Sequence, residues 1–335
     1  MKAWRAARLM RGLGVAAAWA LGMAAAQAPV WYPSLPAGLA PPHVPADNAM
    51  NGAKVALGRR LFYDADLSDD GSMACSACHE QRRGFTEGNS VHPGVHGEPA
   101  RRNVPGLANI AWMRSYTWGD PRVRTLEAQA AIPTLGTDPI EMGMHGREAE
   151  IAARLGHDAC YRRMFAEAFP DRPGQIDMTT ITQALAAFER TLMSFDSPYD
   201  RAERGGAPLS APALEGQRLF AAHCSACHSG PAFSDSRFHQ IIPWKANDRG
   251  LGEISGKARD DGRFRTPGLR NAGVTAPYFH DGSSTSLTDA ITRHRLALDD
   301  GAVTALVAFL DALTDRSFLG NPALALPSTA CGKPL

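Results

Sequence analysis

Cys75-Ser76-Ala77-Cys78-His79 and Cys224-Ser225-Ala226-Cys227-His228 are the two stretches around which the chain is organised. Each reads as a c-type haem attachment site, in which two thiols add to the haem vinyl groups and the next His becomes an axial iron ligand. A zinc centre would also use Cys-x-x-Cys twice, but it has no need of a His directly after each second Cys. Two covalently bound haems c are therefore expected, on Cys75, Cys78, His79, Cys224, Cys227 and His228.

Outward from these motifs the second half repeats the first. Gly58-Arg59-Arg60-Leu61-Phe62 returns as Gly216-Gln217-Arg218-Leu219-Phe220, and Gly84-Phe85-Thr86 as Ala232-Phe233-Ser234. Pro105-Gly106-Leu107-Ala108-Asn109 returns as Pro267-Gly268-Leu269-Arg270-Asn271, a shift of 162 residues. Asp120 matches Asp281 and Leu126 matches Leu287. The expected architecture is mainly α-helical, with two cytochrome-c-like domains related by internal duplication. Gly205-Gly206-Ala207-Pro208 reads as the linker, giving domains at 27–204 and 205–335.

Residues 1–26 have the shape of a secretory leader: Lys2, Arg5, Arg8 and Arg11, then an apolar run from Leu13 to Met23, then small residues. The run is too short to span a bilayer. Cleavage after Ala26 is preferred to cleavage after Ala28, which would put Pro29 beside the cut. The expectation is an exported, periplasmic protein with no membrane segment. The whole chain carries a net charge of +1; without its four leader cations it is near −3, which argues against nucleic acid or acidic lipid as a partner. Of six cysteines, Cys160 and Cys331 remain; in an oxidising compartment they either pair or stand as a buried thiol and a tail thiol.

Residues 29–46 are Pro-rich and read as an extended arm on the surface. Asn48 is the expected cap of a helix over 49–62. Further helices are expected at 124–131, 147–169, 177–195 and 287–294, the third with an apolar stripe of Ile181, Leu185, Phe188 and Leu192.

With the two Cys-x-x-Cys-His sites, several segments complete a resemblance. They are Arg102-Asn103, Leu126-Glu127-Ala128-Gln129, Pro139-Ile140-Glu141-Met142-Gly143, Ser197-Pro198-Tyr199-Asp200-Arg201 and Thr275-Ala276-Pro277-Tyr278-Phe279-His280-Asp281-Gly282. The chain resembles the bacterial di-haem cytochrome c peroxidase/MauG family. From Pro45-Ala46-Asp47-Asn48 to Arg59-Arg60-Leu61-Phe62-Tyr63, and at Thr117-Trp118, it looks most like the di-haem enzymes of methanobactin-type operons. Those are encoded beside a small periplasmic copper-binding protein. The MauG-like members use hydrogen peroxide and high-valent haems to oxidise residues of a partner protein, Trp to kynurenine in the methanobactin case.

The resemblance assigns roles residue by residue. Glu141 and Gln129 are placed over the open face of the first haem, where a carboxyl shielded from water has its pKa raised and suits proton transfer. Trp118 is placed between the haems, as a station for an electron or a hole. Asn103 through its side chain, and Thr275 and Pro277 through their carbonyls, match a calcium site. Relatives carry a loop His that blocks the first haem until reduction; His96 lies in that loop, but the loop is one residue shorter and an exposed His is the reading preferred. The sixth ligand of the second haem is Met in classical peroxidases and Tyr in MauG. Here the equivalent position is His294, with His280 and His239 as alternatives, and no Met follows Met193. A bis-His haem sits at lower potential than a His/Met haem, which favours MauG-like protein oxidation.

Three functions are thus in play. The preferred one is a peroxide-using enzyme that oxidises a small, copper-binding periplasmic protein. The second is a cytochrome c peroxidase fed by a small cytochrome or cupredoxin. The third, from another class, is a non-catalytic di-haem electron-transfer protein, which has no use for Glu141 and Gln129 as proton carriers.

Overall fold

Alternation of short apolar stripes with Gly, Pro and Asp breaks gives helices rather than sheet throughout residues 35–335, the part of the chain described by the computed structural model. Twelve α-helices occur there: α1 Gly52–Phe62, α2 Cys75–Cys78, α3 Leu126–Leu135, α4 Glu148–His157, α5 Ala159–Ala168, α6 Met178–Glu189, α7 Pro198–Glu203, α8 Ala211–His223, α9 Leu251–Ser255, α10 Leu287–Thr292, α11 Asp300–Asp311 and α12 Arg316–Leu319. Two antiparallel pairs of two-residue strands complete it, β1 Phe238–His239 with β2 Phe264–Arg265, and β3 Thr329–Ala330 with β4 Lys333–Pro334. The leader and the first part of the Pro-rich arm lie outside the described residues. Among those described, no helix is long and apolar enough to cross a membrane. The rest of the arm lies against the body, where Trp112 Nε1 donates to the Ala40 carbonyl at 3.0 Å.

Two helix crossings organise the core. α1 packs on α6, and α8 packs on α11. Both depend on a glycine. A Cβ on Gly58 would sit 1.8 Å from the Ala184 carbonyl oxygen, and a Cβ on Gly216 would sit 1.9 Å from that of Ala305. Four residues after the contacted carbonyl each crossing places a buried ring, Phe188 or Phe309. Phe62 meets Phe188 at 5.3 Å and Phe220 meets Phe309 at 5.1 Å. Burial of each such ring contributes roughly 1.5–3 kcal/mol. The repeated Gly-x-x-Leu-Phe of the sequence is therefore a packing motif: the glycine admits the neighbouring backbone and the Phe fills the space beside it.

Helix ends differ from expectation for local reasons. Asn51, not Asn48, caps α1 by accepting the Lys54 N–H at 2.7 Å. Asn48 is fully buried and donates to Glu127 at 2.6 Å and to the Gln183 carbonyl at 3.0 Å. The single helix expected over 147–169 is two helices, broken at Asp158, whose carboxylate accepts the Cys160 N–H and pairs with Arg60. The helix expected over 177–195 stops at Glu189, and α10 stops at Thr292, two residues short of His294. Cys160 and Cys331 form a disulfide that ties the β3–β4 hairpin to α5, and the four motif cysteines take part in no disulfide.

Candidate functional site

One helical turn, α2, separates Cys75 from Cys78, so the two thiols share a face. His79 caps that turn by donating its N–H to the Cys75 carbonyl at 3.0 Å. Gly84 and Phe85 are both left-handed, with φ of 67° and 62°. Their turn brings the Phe85 carbonyl back to His79 Nδ1 at 2.7 Å. The second site is built alike. His228 donates its N–H to the Cys224 carbonyl at 2.9 Å, and its Nδ1 meets the Phe233 carbonyl at 3.0 Å, with Phe233 at φ 55°. A carbonyl only accepts, so Nδ1 carries the proton in both rings and Nε2 keeps its lone pair. Burial pushes both imidazoles down to about 4, so both are neutral. Two unpaired thiols followed by a neutral imidazole presenting Nε2 form the donor set that haem c requires, and both sites fit it.

Glu141 lies beside the first site. Its carboxyl is half-buried, desolvation raises its pKa, and the nearby His92 imidazole opposes that rise. Burial lifts the Cys78 thiol as well, with Glu141 and Glu87 adding to it. Gln129, on α3, belongs to the same rigid unit. Met142 N–H donates to the Pro133 carbonyl at 2.9 Å and Met144 N–H to that of Thr134 at 3.0 Å, tying residues 142–144 to the end of α3. α3 is itself anchored by Glu127, which takes Arg190 Nη2 at 2.8 and 3.0 Å. On the other side, Val95 N–H donates to the Glu141 carbonyl at 2.7 Å.

The loop histidines separate. His96 is half-exposed beside Asp69, at 3.5 Å, whereas His92 is the one that acts on Glu141, Glu87 and His79. The sequence favoured an exposed side chain at His96; the folding back of the loop, through Ala100 N–H to the His92 carbonyl at 2.7 Å, brings His92 toward Glu141.

Trp118 is buried, and its Nε1–H donates to the Asn103 carbonyl at 2.7 Å. Asn103 is thus joined directly to the indole. Its Nδ2 donates to the Asn89 and Ser90 carbonyls, and its N–H donates to the His280 carbonyl at 2.7 Å, three residues past Pro277. Thr275 packs near Gly84, close to the first motif. At the second site, His294 Nδ1 lies 2.8 Å from the Ala290 carbonyl, which leaves Nε2 free, and the ring is near enough to His228 to lower its pKa. His280 instead stacks on Phe264, with ring centres 3.4 Å apart. His239 pairs with Asp235 at 2.9 Å. Cys227, Asp235 and His239 bring ligand atoms within 4.8 Å of one another, but the last two satisfy each other and Cys227 belongs to the attachment motif.

Two buried groups escaped sequence reasoning. Glu189 ends α6 with Oε2 unpartnered, and desolvation pushes its carboxyl up to about 8. Arg265, adjoining Trp118, is 2% exposed. The signal for Arg265 was in the repeat: at the shift of 162 it occupies the place of Asn103.

A helical protein with two such histidine–thiol sites, one of them flanked by a desolvated carboxyl, is a di-haem peroxidase-type oxidoreductase. The comparisons place it more closely. Residues 52–207 match the di-haem cytochrome c peroxidase family model. The chain is 36% identical over 258 residues to methylamine utilization protein MauG of Methylorubrum extorquens, covering 76% of this chain and 71% of that one. It is 34% identical to cytochrome c peroxidase Ccp of Escherichia coli, covering 81% of this chain and 60% of that protein. Among solved structures, a MauG-like protein associated with microbial copper homeostasis superposes with a TM-score of 0.85 at 37% identity, over 89% of this chain and 99% of the other. The chain belongs to the di-haem cytochrome c peroxidase/MauG family, whose members carry two haems c.

Proposed function

We propose that this enzyme is MauG-like: it uses hydrogen peroxide to oxidise residues, such as Trp, of a small partner protein. In this reading the chain arose by duplication into two cytochrome-c-like domains, 27–204 and 205–335, each holding its haem through thioethers. It is exported to the periplasm after loss of residues 1–26. Likeness to MauG and to a protein associated with copper homeostasis supports a partner that binds copper.

Haem, when bound, supplies an iron able to accept the oxidising equivalents of peroxide. What the chain supplies is placement and proton control. His79 presents Nε2 in a fixed tautomer. Glu141, whose carboxylate desolvation makes a stronger base than an ordinary one, takes a proton from one peroxide oxygen and, now the acid, returns it to the other. Gln129, carried on the same unit, orients the peroxide by hydrogen bonding. Trp118 links the two sites. Asn103, Thr275 and Pro277 hold calcium beside it through oxygen ligands.

The observation that favours protein oxidation over a cytochrome c peroxidase is the second site's ligand supply. No Met follows Met193, and the His294 imidazole, with Nε2 free, is near enough to His228 to lower its pKa. A bis-His iron has lower potential than His/Met, which makes it a poor entry port for cytochrome electrons. The test is paramagnetic resonance of the ferric protein. Wild type is expected to show a low-spin bis-His signal beside a high-spin one, and His294→Ala to convert the low-spin haem to high spin. A low-spin signal retained in His294→Ala would place the ligand elsewhere and remove the argument from potential.

A further inference from the structure

Among the described residues four arginines are buried, and three of them hold a carboxylate: Arg60 pairs with Asp158 at 2.6 Å, Arg190 with Glu127 at 2.8 Å and Arg270 with Asp200 at 2.8 Å. Arg265 does not. Its Nε donates to the Thr117 carbonyl at 3.1 Å and its Nη1 to the Thr266 carbonyl at 3.3 Å, both neutral acceptors. Its backbone N–H donates to the Trp118 carbonyl at 2.8 Å, which fixes the strand beside the indole. The guanidinium carbon lies 5.7 Å from the centre of the Trp118 ring. Burial lowers the guanidinium to about 10, so it remains a cation at neutral pH. A stacked cation and aromatic attract while the ring is neutral. Once the ring has lost an electron, the two repel.

The hydrogen bond on the other edge of the indole sharpens this. Trp118 Nε1–H points at the Asn103 carbonyl, which is no base. An electron-deficient Trp118 therefore keeps its proton and its positive charge. Two unit charges at this separation, in the effective dielectric of a protein interior, change an equilibrium by about a hundredfold. A haem carboxylate pairing with Arg265 leaves the sign unchanged, because replacing the arginine removes positive charge from the ring face either way.

We propose that Arg265 acts through Trp118, raising the potential at which the indole gives up an electron, so that charge crosses Trp118 without resting there and the enzyme's own bridge is spared oxidation. The inference rests on reading Trp118 as the bridge. A hole that rests on the indole leads to damage in a balanced step. The indole loses two electrons and two protons, water adds its oxygen to a ring carbon in place of hydrogen, and peroxide takes up the electrons and protons to leave as water.

The test uses the full-length holoprotein with both haems attached. Arg265→Gln keeps N–H donors for the two carbonyls but loses the charge, Arg265→Met loses both, and Arg265→Lys keeps the charge. Each is given peroxide without a partner protein, and peptide mapping by mass spectrometry counts oxygen gained at Trp118. The expected result is a rise in modified Trp118 of about ten- to a hundredfold in Arg265→Gln and Arg265→Met, with Arg265→Lys near wild type. If only Arg265→Met fails to load haem, Arg265→Gln carries the comparison; if both neutral variants fail, Trp118 as intact in Arg265→Lys as in wild type upholds the proposal, and Trp118 oxidised at least about tenfold more in Arg265→Lys than in wild type overturns it. Trp118 equally intact in wild type and Arg265→Gln also overturns it. The bridge is checked separately by the near-infrared inter-haem charge-resonance band: its loss in Trp118→Phe supports the bridge, and an unchanged band there sinks the bridge rather than the role of Arg265.

Discussion

Gly216→Ala is the perturbation most directly calculable from the packing. The added Cβ would stand 1.9 Å from the Ala305 carbonyl oxygen and 2.8 Å from Phe309 Cβ. Neither is the free end of a flexible side chain, so α8 and α11 must separate by about an ångström. Overpacking of this kind costs about 1–3 kcal/mol. Alanine recovers up to about 1 kcal/mol over glycine in a helix interior, so the net destabilisation is up to about 2 kcal/mol. For a domain of this size that lowers Tm by up to about 8 °C. Gly52→Ala is the matched control, because a Cβ at Gly52 meets nothing within 4 Å, and it should be neutral or slightly stabilising. The assay is thermal unfolding of the haem-loaded protein followed by circular dichroism. A Gly216→Ala protein as stable as Gly52→Ala would refute the argument that the glycine is required by the helix crossing.

Glu141→Gln should leave both haems attached and slow the reaction with peroxide by about 10²–10⁴-fold, measured by stopped flow; wild-type rates would remove Glu141 from proton transfer. Glu189→Gln should flatten the pH dependence of stability. The native carboxyl holds its proton to about 8 while the unfolded one releases it near 4.5, so its contribution is complete below pH 4.5 and is lost as pH rises toward 8. Urea unfolding should therefore show wild type weakening by up to about 1.4 kcal/mol per pH unit relative to the variant in that window, and parallel curves would mean that Glu189 is not held protonated. Cys331→Ser should cost about 2–4 kcal/mol by releasing the C-terminal hairpin from α5, with peroxide reactivity unchanged. An equally stable variant would mean that the tail contributes nothing to the fold.

The two Cys-x-x-Cys-His sites are legible in sequence alone because their chemistry is local: five consecutive residues hold both thiols and the imidazole. The Gly-x-x-Leu-Phe repeat is equally local on each helix, although its meaning, a backbone carbonyl resting where a Cβ would be, appears only when α6 and α11 are in place. Glu141 was readable from its segment. Its desolvation, and its grouping with His92 rather than His96, depend on a loop folding back through hydrogen bonds that no periodicity signals. Asn48 has the composition of a cap but is drawn inward by Glu127, and Asp158 breaks a helix because it can cap one turn and pair with Arg60 at once. Arg265 and Glu189 look like ordinary polar residues at element ends. Only tertiary burial, without an opposite charge for one and with an unpartnered oxygen for the other, singles them out.

The claim of MauG-like chemistry is tested most directly by mixing the diferric enzyme, as isolated, with a stoichiometric amount of hydrogen peroxide in stopped flow, with and without a reduced small cytochrome. The account predicts that peroxide reacts without prior reduction, that the oxidising equivalents persist in the absence of donor, and that the cytochrome is not turned over. An enzyme inert to peroxide until one haem is reduced, and then steadily oxidising the cytochrome, would contradict it.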